Sequence, residues 1–180
     1  MDSATVAKGS FLALSLPVIL SACQRSQQAL EQGAGFRVFE ADEAADLTAI
    51  AARIIPTDDT PGATEAGVIY FLDTIFAEAR RASQLALLRE GLAALRGQLT
   101  TGGRHIHELT EAQQDQLLRD NEQTPFFATM RYLTIAGTFS LPRYGGNRDK
   151  VGYQLIGYED RGAWSAPYGF YDADYAERGE

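Results

Sequence analysis

Apolar positions along the middle of the chain recur every three or four residues, the spacing of one helical face. In VFEADEAADLTAIAARIIP, Leu47, Ile50, Ala51 and Ile54 form such a stripe. Asp42 is placed to cap the stripe, acidic residues fill its first turn, and Pro56 ends it. A turn-rich TDDTPGATEAG follows, after which Val68, Leu72, Ile75, Phe76 and Ala79 predict a second helix, its face widened by Ile69 and Phe71. Ser83 is placed to cap a third helix with Leu85, Leu88, Leu92, Leu95 and Leu99 along one side, and Thr100 to Gly103 (TTGG) is its stop. Thr110 and Gln113 have the spacing of a capping box, so a short fourth helix begins at Thr110. Thr124 at a cap and Pro125 at the first helical position start a fifth, with Phe126, Met130 and Leu133 facing inward and Phe127 a further candidate. No alternating strand pattern of useful length precedes Gly145, and no internal repeat is present. The predicted fold class is mainly α: a single helical domain over residues 39–180, a compact bundle on which an irregular Gly-rich and aromatic C-terminal segment is wrapped.

One apolar run stands apart from this bundle. FLALSLPVIL, Phe11 to Leu20, is short for a membrane span and fits the hydrophobic region of a signal peptide over residues 1–22. The following LSAC resembles a bacterial lipobox, which makes Cys23 the candidate lipidated residue and residues 23–38, with the polar QRSQQALEQGAG, a tether. The expectation is a periplasmic chain anchored to the membrane as a lipoprotein. AKGSFLALS is similar to a twin-arginine signal, but the arginine pair that would stand near Ser3 and Ala4 is missing, so the export route stays open. An N-terminal helix with a buried cysteine is the alternative, and the polar tether argues against it.

Composition narrows the partners. Lys and Arg total 16 against 24 Asp and Glu, a net charge of −8, so most of the surface repels a phosphate backbone and no nucleic-acid partner is expected. The single cysteine excludes an internal disulfide, a cysteine-only zinc site and an iron–sulfur cluster held by this chain alone.

Candidate chemistry is sparse. His105 and His107 are the only histidines. On a strand such a pair would share a metal, on a helix the two would diverge, and only Glu108 offers a carboxylate close in sequence, so they read as polar loop residues before ligands. Asp58 and Asp59 in TDDTPG lack the alternating oxygens and closing Glu of a calcium loop and read as solvated or capping acids. No G-x-S-x-G, H-E-x-x-H, P-loop or G-x-G-x-x-G is present, so no catalytic residue is assigned.

The remaining segment of interest is YGGNRDKVGYQLIGY, Tyr144 to Tyr158. Gly145 and Gly146 permit positive φ and close backbone approach, and Asn147 and Asp149 can bond to nearby main chain and fix a turn. Gly152 and Gly157 bracket YQLI, a candidate extended segment, while Arg143, Arg148 and Lys150 form a basic patch on an acidic protein. Two readings stand: a loop that fastens the tail to the bundle, or a surface that a partner reads.

This run resembles the signature of the small subunit (subunit 3, or gamma) of gluconate 2-dehydrogenase and related membrane-bound sugar and sugar-acid dehydrogenases. ARIIPTDDTPGATEAGVIYFLDTIF and TMRYLTIAGTFSLPRYGG extend the likeness, which covers roughly Phe39 to Tyr158. The resemblance implies an accessory chain with no cofactor of its own. In such complexes a flavoprotein large subunit carries FAD and a multihaem cytochrome c subunit carries haem c, while the small subunit supports assembly, stability or export of the flavoprotein. On this reading Tyr144, Gly145, Gly146, Asn147, Arg148, Asp149 and Tyr153 are the partner-binding residues. The aromatic tail with Trp164, Tyr168, Phe170, Tyr171 and Tyr175 either extends that surface or packs on its own bundle. A stand-alone periplasmic lipoprotein acting as an interaction module is the rival, and an independent enzyme with a metal at His105 and His107 is the third possibility.

Overall fold

A computed structural model describes residues 35–99, 105–141, 147–160 and 178. Six α-helices and no strand occur among them, so the fold is mainly α. They are α1 (Ala41–Ile54), α2 (Val68–Phe76), α3 (Ala82–Arg96), α4 (Glu111–Asp120), α5 (Pro125–Phe139) and α6 (Val151–Leu155). Short 3₁₀ turns precede α3, α4 and α6, at Ala79–Arg81, Ile106–Glu108 and Arg148–Lys150.

The stripes read from the sequence meet in one core. Leu47 and Ile50 of α1, Phe71, Leu72 and Ile75 of α2, Leu95 of α3 and Met130 and Leu133 of α5 are fully buried, with Ile106 of the second 3₁₀ turn among them. Helix α1 packs on α2, α4 and α5, and α5 in turn on α2, α3 and α6. Gly91 lets α3 approach α5 closely, because a Cβ there would collide with the Phe126 ring. Outside the core, Arg53 clamps α1 to α4 with its Nε 2.7 Å from Asp115 Oδ1 and its Nη1 2.8 Å from Glu111 Oε2. Arg89 ties α3 to α1 by donating to both Glu43 oxygens and to the Val38 carbonyl.

A buried acid fixes how the chain enters α1. Asp73 lies on α2 at 5% exposure, and its Oδ1 accepts hydrogen bonds from the amides of Arg37 (3.1 Å), Val38 (3.0 Å) and Phe39 (3.3 Å). An unpaired buried amide costs about 1–3 kcal/mol, so the bond to the buried Phe39 amide, with those to the less buried Arg37 and Val38 amides, lets this non-helical segment sit against the core.

Five expectations need correction. The cap of α1 is Glu40, not Asp42, because the Glu43 side chain reaches back to accept from the Glu40 amide at 3.1 Å. Ala79 belongs to a 3₁₀ turn, not to α2, and that turn brings the chain into helical conformation at Ala82, so Ser83 lies inside α3 and does not cap it. Helix α3 ends at Arg96 with Gly97 as its C-cap, before Leu99; the TTGG stop lies outside the described residues. YQLI is helical through Leu155, within α6, and is not extended. The boxes at Thr110–Gln113 and Thr124–Pro125 start α4 and α5 as the sequence predicts.

Candidate functional site

The Gly-rich segment splits into an inner and an outer part. Asn147 is fully buried and sits in the left-handed region at φ 55° and ψ 46°. Its amide donates to the Gly137 carbonyl at 2.7 Å, and its Oδ1 accepts from the Gly152 amide at 2.6 Å. One residue thereby holds the last turn of α5, through its backbone amide, and the first turn of α6, through its side chain, which fills for α6 the role of an N-terminal cap. The Arg148 amide adds a longer bond, 3.4 Å, to the Ala66 carbonyl ahead of α2.

Asp149 (φ 52°) and Lys150 (φ 61°) also have positive φ, a conformation costly for residues with a Cβ. Three such residues within four positions are sustained by the buried Asn147 bonds and by the Lys150 amide donating to the Asn147 carbonyl at 2.9 Å. The result turns Arg148 and Asp149 outward. Their side chains are 51% and 81% exposed, with Arg148 Nε 3.5 Å from Asp149 Oδ2. Tyr153 is buried and packs edge-on against Tyr158, with ring centroids 4.8 Å apart. Of the seven candidate partner-binding residues, then, Asn147 and Tyr153 face the protein interior and Arg148 and Asp149 face solvent. Tyr144, Gly145 and Gly146 lie outside the described residues, as do Arg143, the signal, Cys23 with the tether as far as residue 34, and the aromatics Trp164 to Tyr175; the last tether residues, 35–38, are described, and Arg37 and Val38 are fastened to Asp73.

Beside this segment runs an open groove of about 420 Å³, lined in part by Ile54 and Pro56 at the end of α1, Arg131 and Ile135 of α5, and Leu155 of α6. Ile135 and the neighbouring Tyr132 are both 42% exposed.

At the opposite end of α1 the structure assembles a second group that spacing along the chain does not show. Asp46 is fully buried. Its Oδ1 accepts from the His107 amide at 2.9 Å and lies 2.6 Å from His107 Nδ1, while its Oδ2 accepts from Arg96 Nε at 2.6 Å. Burial pushes the Asp46 carboxyl up, but the His107 amide, the Arg96 guanidinium and the His107 ring together hold it below its ordinary value. His105 stacks on His107 with ring centroids 5.3 Å apart, its Nδ1 3.8 Å from Asp46 Oδ2 and its Nε2 3.5 Å from Asp42 Oδ2. The pair is brought together on an extended residue and a 3₁₀ turn, where rings two positions apart do not diverge. Asp58, by contrast, accepts from the amide and hydroxyl of Thr60, both at 2.8 Å, the arrangement of an acid fixing its own turn.

The family model for gluconate 2-dehydrogenase subunit 3 matches residues 41–160, from the first residue of α1 through the Gly-rich segment. The chain belongs to the gluconate 2-dehydrogenase subunit 3 family. No similar curated protein and no similar solved structure was found. Subunit 3 membership makes the chain an accessory subunit of a dehydrogenase complex. The matched span includes the Asn147 lock and the Asp46 cluster, so both are built within the subunit 3 domain. No helix among the described residues is long and apolar enough to cross a membrane.

Proposed function

We propose that this chain is the non-catalytic small subunit of an exported, membrane-associated FAD-dependent dehydrogenase acting on a sugar or sugar acid of the gluconate type, and that it supports assembly, stability or export of the flavoprotein. The observation that carries the reading is the family match over residues 41–160. The partners are a flavoprotein large subunit carrying FAD and a multihaem cytochrome c subunit carrying haem c, and this chain contributes no cofactor. Lipidation of Cys23 after removal of residues 1–22 holds it in the periplasm at the membrane.

The shape of the Gly-rich segment supports a division of labour within the proposed partner-binding set. Asn147 and Tyr153 organise the loop from inside, and Arg148 and Asp149 present a charge pair to the flavoprotein. The exposed Tyr132 and Ile135 beside the groove supply the apolar part of the same contact.

The test is purification of the C-terminally tagged full chain from detergent-solubilised membranes of its native host, with mass spectrometry and an absorption spectrum. Co-purification of a flavoprotein with flavin and haem bands is expected. A colourless single chain under conditions that preserve membrane complexes would overturn the proposal and favour a stand-alone lipoprotein.

A further inference from the structure

We infer that Asp46, His105 and His107 form a binding site for a divalent transition-metal ion of the zinc, cobalt or nickel type, joining α1 to the turn at Ile106–Glu108. One ligand atom from each residue lies within 4.8 Å of the other two. His107 Nδ1 and His105 Nδ1 face opposite oxygens of the same carboxylate, at 2.6 and 3.8 Å. In a tetrahedral site with metal–ligand bonds near 2.0–2.1 Å the ligand atoms are roughly 3.4 Å apart, so small side-chain shifts bring this set to coordination distance.

A second observation points to a missing ligand. His105 Nδ1 is buried without a hydrogen bond of good geometry; the ring faces the Glu108 amide as in a capping box, a weak contact that a metal ion would replace. Buried polar atoms are as a rule satisfied, and a cation held by Asp46 Oδ1 and His107 Nδ1 would satisfy this nitrogen lone pair.

The donor set selects the ion. Two imidazoles and one carboxylate suit zinc, cobalt and nickel, whereas calcium and magnesium require mostly oxygen. Arg96 occupies Asp46 Oδ2, so the carboxylate binds through Oδ1 alone. The hydrogen bond from His107 Nδ1 to that oxygen gives way, with His107 taking the tautomer protonated at Nε2. His105 and His107 are 23% and 32% exposed, which leaves an entry path and room for water at the remaining coordination position. The nearby Asp42 carboxylate offsets the added positive charge beside Arg96. This site is independent of the accessory-subunit reading, and its role is to fasten the turn to α1.

Zinc chloride titrated into the purified, chelator-treated full chain tests the site. A one-to-one calorimetric isotherm is expected, with Tm raised by about 5 °C or more at a hundredfold excess over Kd, and no response to calcium or magnesium. Cobalt should give the ligand-field bands of a low-coordinate nitrogen and oxygen site. His105→Gln is the decisive variant, because it removes one ligand nitrogen and otherwise only the stack on His107 and the approach to Asp42: its metal-free Tm should fall by a few degrees at most while zinc affinity falls at least tenfold. Equal zinc response in the wild type and in His105→Gln, or no saturable binding by the wild type, would overturn the inference.

Discussion

Gly152→Ala is expected to lower Tm by roughly 10 °C and to release the Gly-rich segment from the bundle. A Cβ at this position would collide with the Thr138 carbonyl oxygen and stand 3.1 Å from Asn147 Oδ1. Neither neighbour can move freely, since Thr138 is part of α5 and Asn147 is held by its own bonds to Gly137 and Gly152. Overpacking against fixed backbone costs about 3 kcal/mol or more, and each kcal/mol is worth roughly 2–4 °C in a chain of this size. Gly97→Ala is the matched control, because its methyl would meet only carbonyl oxygens at 3.4 Å and its φ of −62° suits any residue. Thermal denaturation followed by circular dichroism distinguishes the two; an unchanged Tm for Gly152→Ala would show that the lock does not hold the segment.

Asp46→Ala should be of similar size and should carry a pH signature. It leaves the Arg96 guanidinium and the His107 amide without their shared acceptor, a loss of about 3–5 kcal/mol for a broken buried ion pair. Because the folded-state carboxyl is held below the ordinary value, Asp46 binds its proton less readily in the folded chain than in the unfolded one. Its stabilising contribution is therefore complete above the unfolded pKa of about 3.9 and is lost as pH falls through the lower folded value. The gap in Tm between wild type and Asp46→Ala, measured in chelator, should narrow as pH falls below about 4. A gap that stays constant through that range would mean that the carboxylate charge contributes nothing to the fold.

The helices were largely legible because their signals are local. The Thr110–Gln113 and Thr124–Pro125 starts depend on residues three apart or adjacent, and the stripes of α1, α2 and α5 on spacing within one element. The Glu40 cap is an equally local signal, a box with Glu43 three residues on, and Asp42 competes with it on residue type alone; YQLI becomes helical because Asn147, five residues before Gly152, caps it from a positive-φ turn. The buried acids depend on longer contacts: Asp46 finds its partners on α3 and the 3₁₀ turn, and Asp73 finds its own on the segment ahead of α1.

A signal for both acids nevertheless exists in the sequence. Asp46 stands four residues before Ile50, and Asp73 four after Ile69 and three before Phe76, each on the apolar stripe of its own helix. A carboxylate in a core position must be paired or must accept several hydrogen bonds, so those positions predict a partner without naming it. The Gly-rich segment was legible as a motif, but its division into a buried Asn147 and an exposed Arg148 and Asp149 depends on positive φ values that periodicity does not encode.

The central claim is that the chain assists a flavoprotein and does no chemistry of its own. It is tested most directly by deleting the chain from its native host and measuring, in isolated membranes, the amount of the flavoprotein and its dye-linked dehydrogenase activity per bound flavin. The account predicts that membrane-bound flavoprotein falls sharply, that activity per remaining flavin is unchanged, and that the wild-type chain restores the amount. Flavoprotein present in normal quantity and location but inactive per flavin would contradict it, because the missing chain would then be supplying part of the reaction itself.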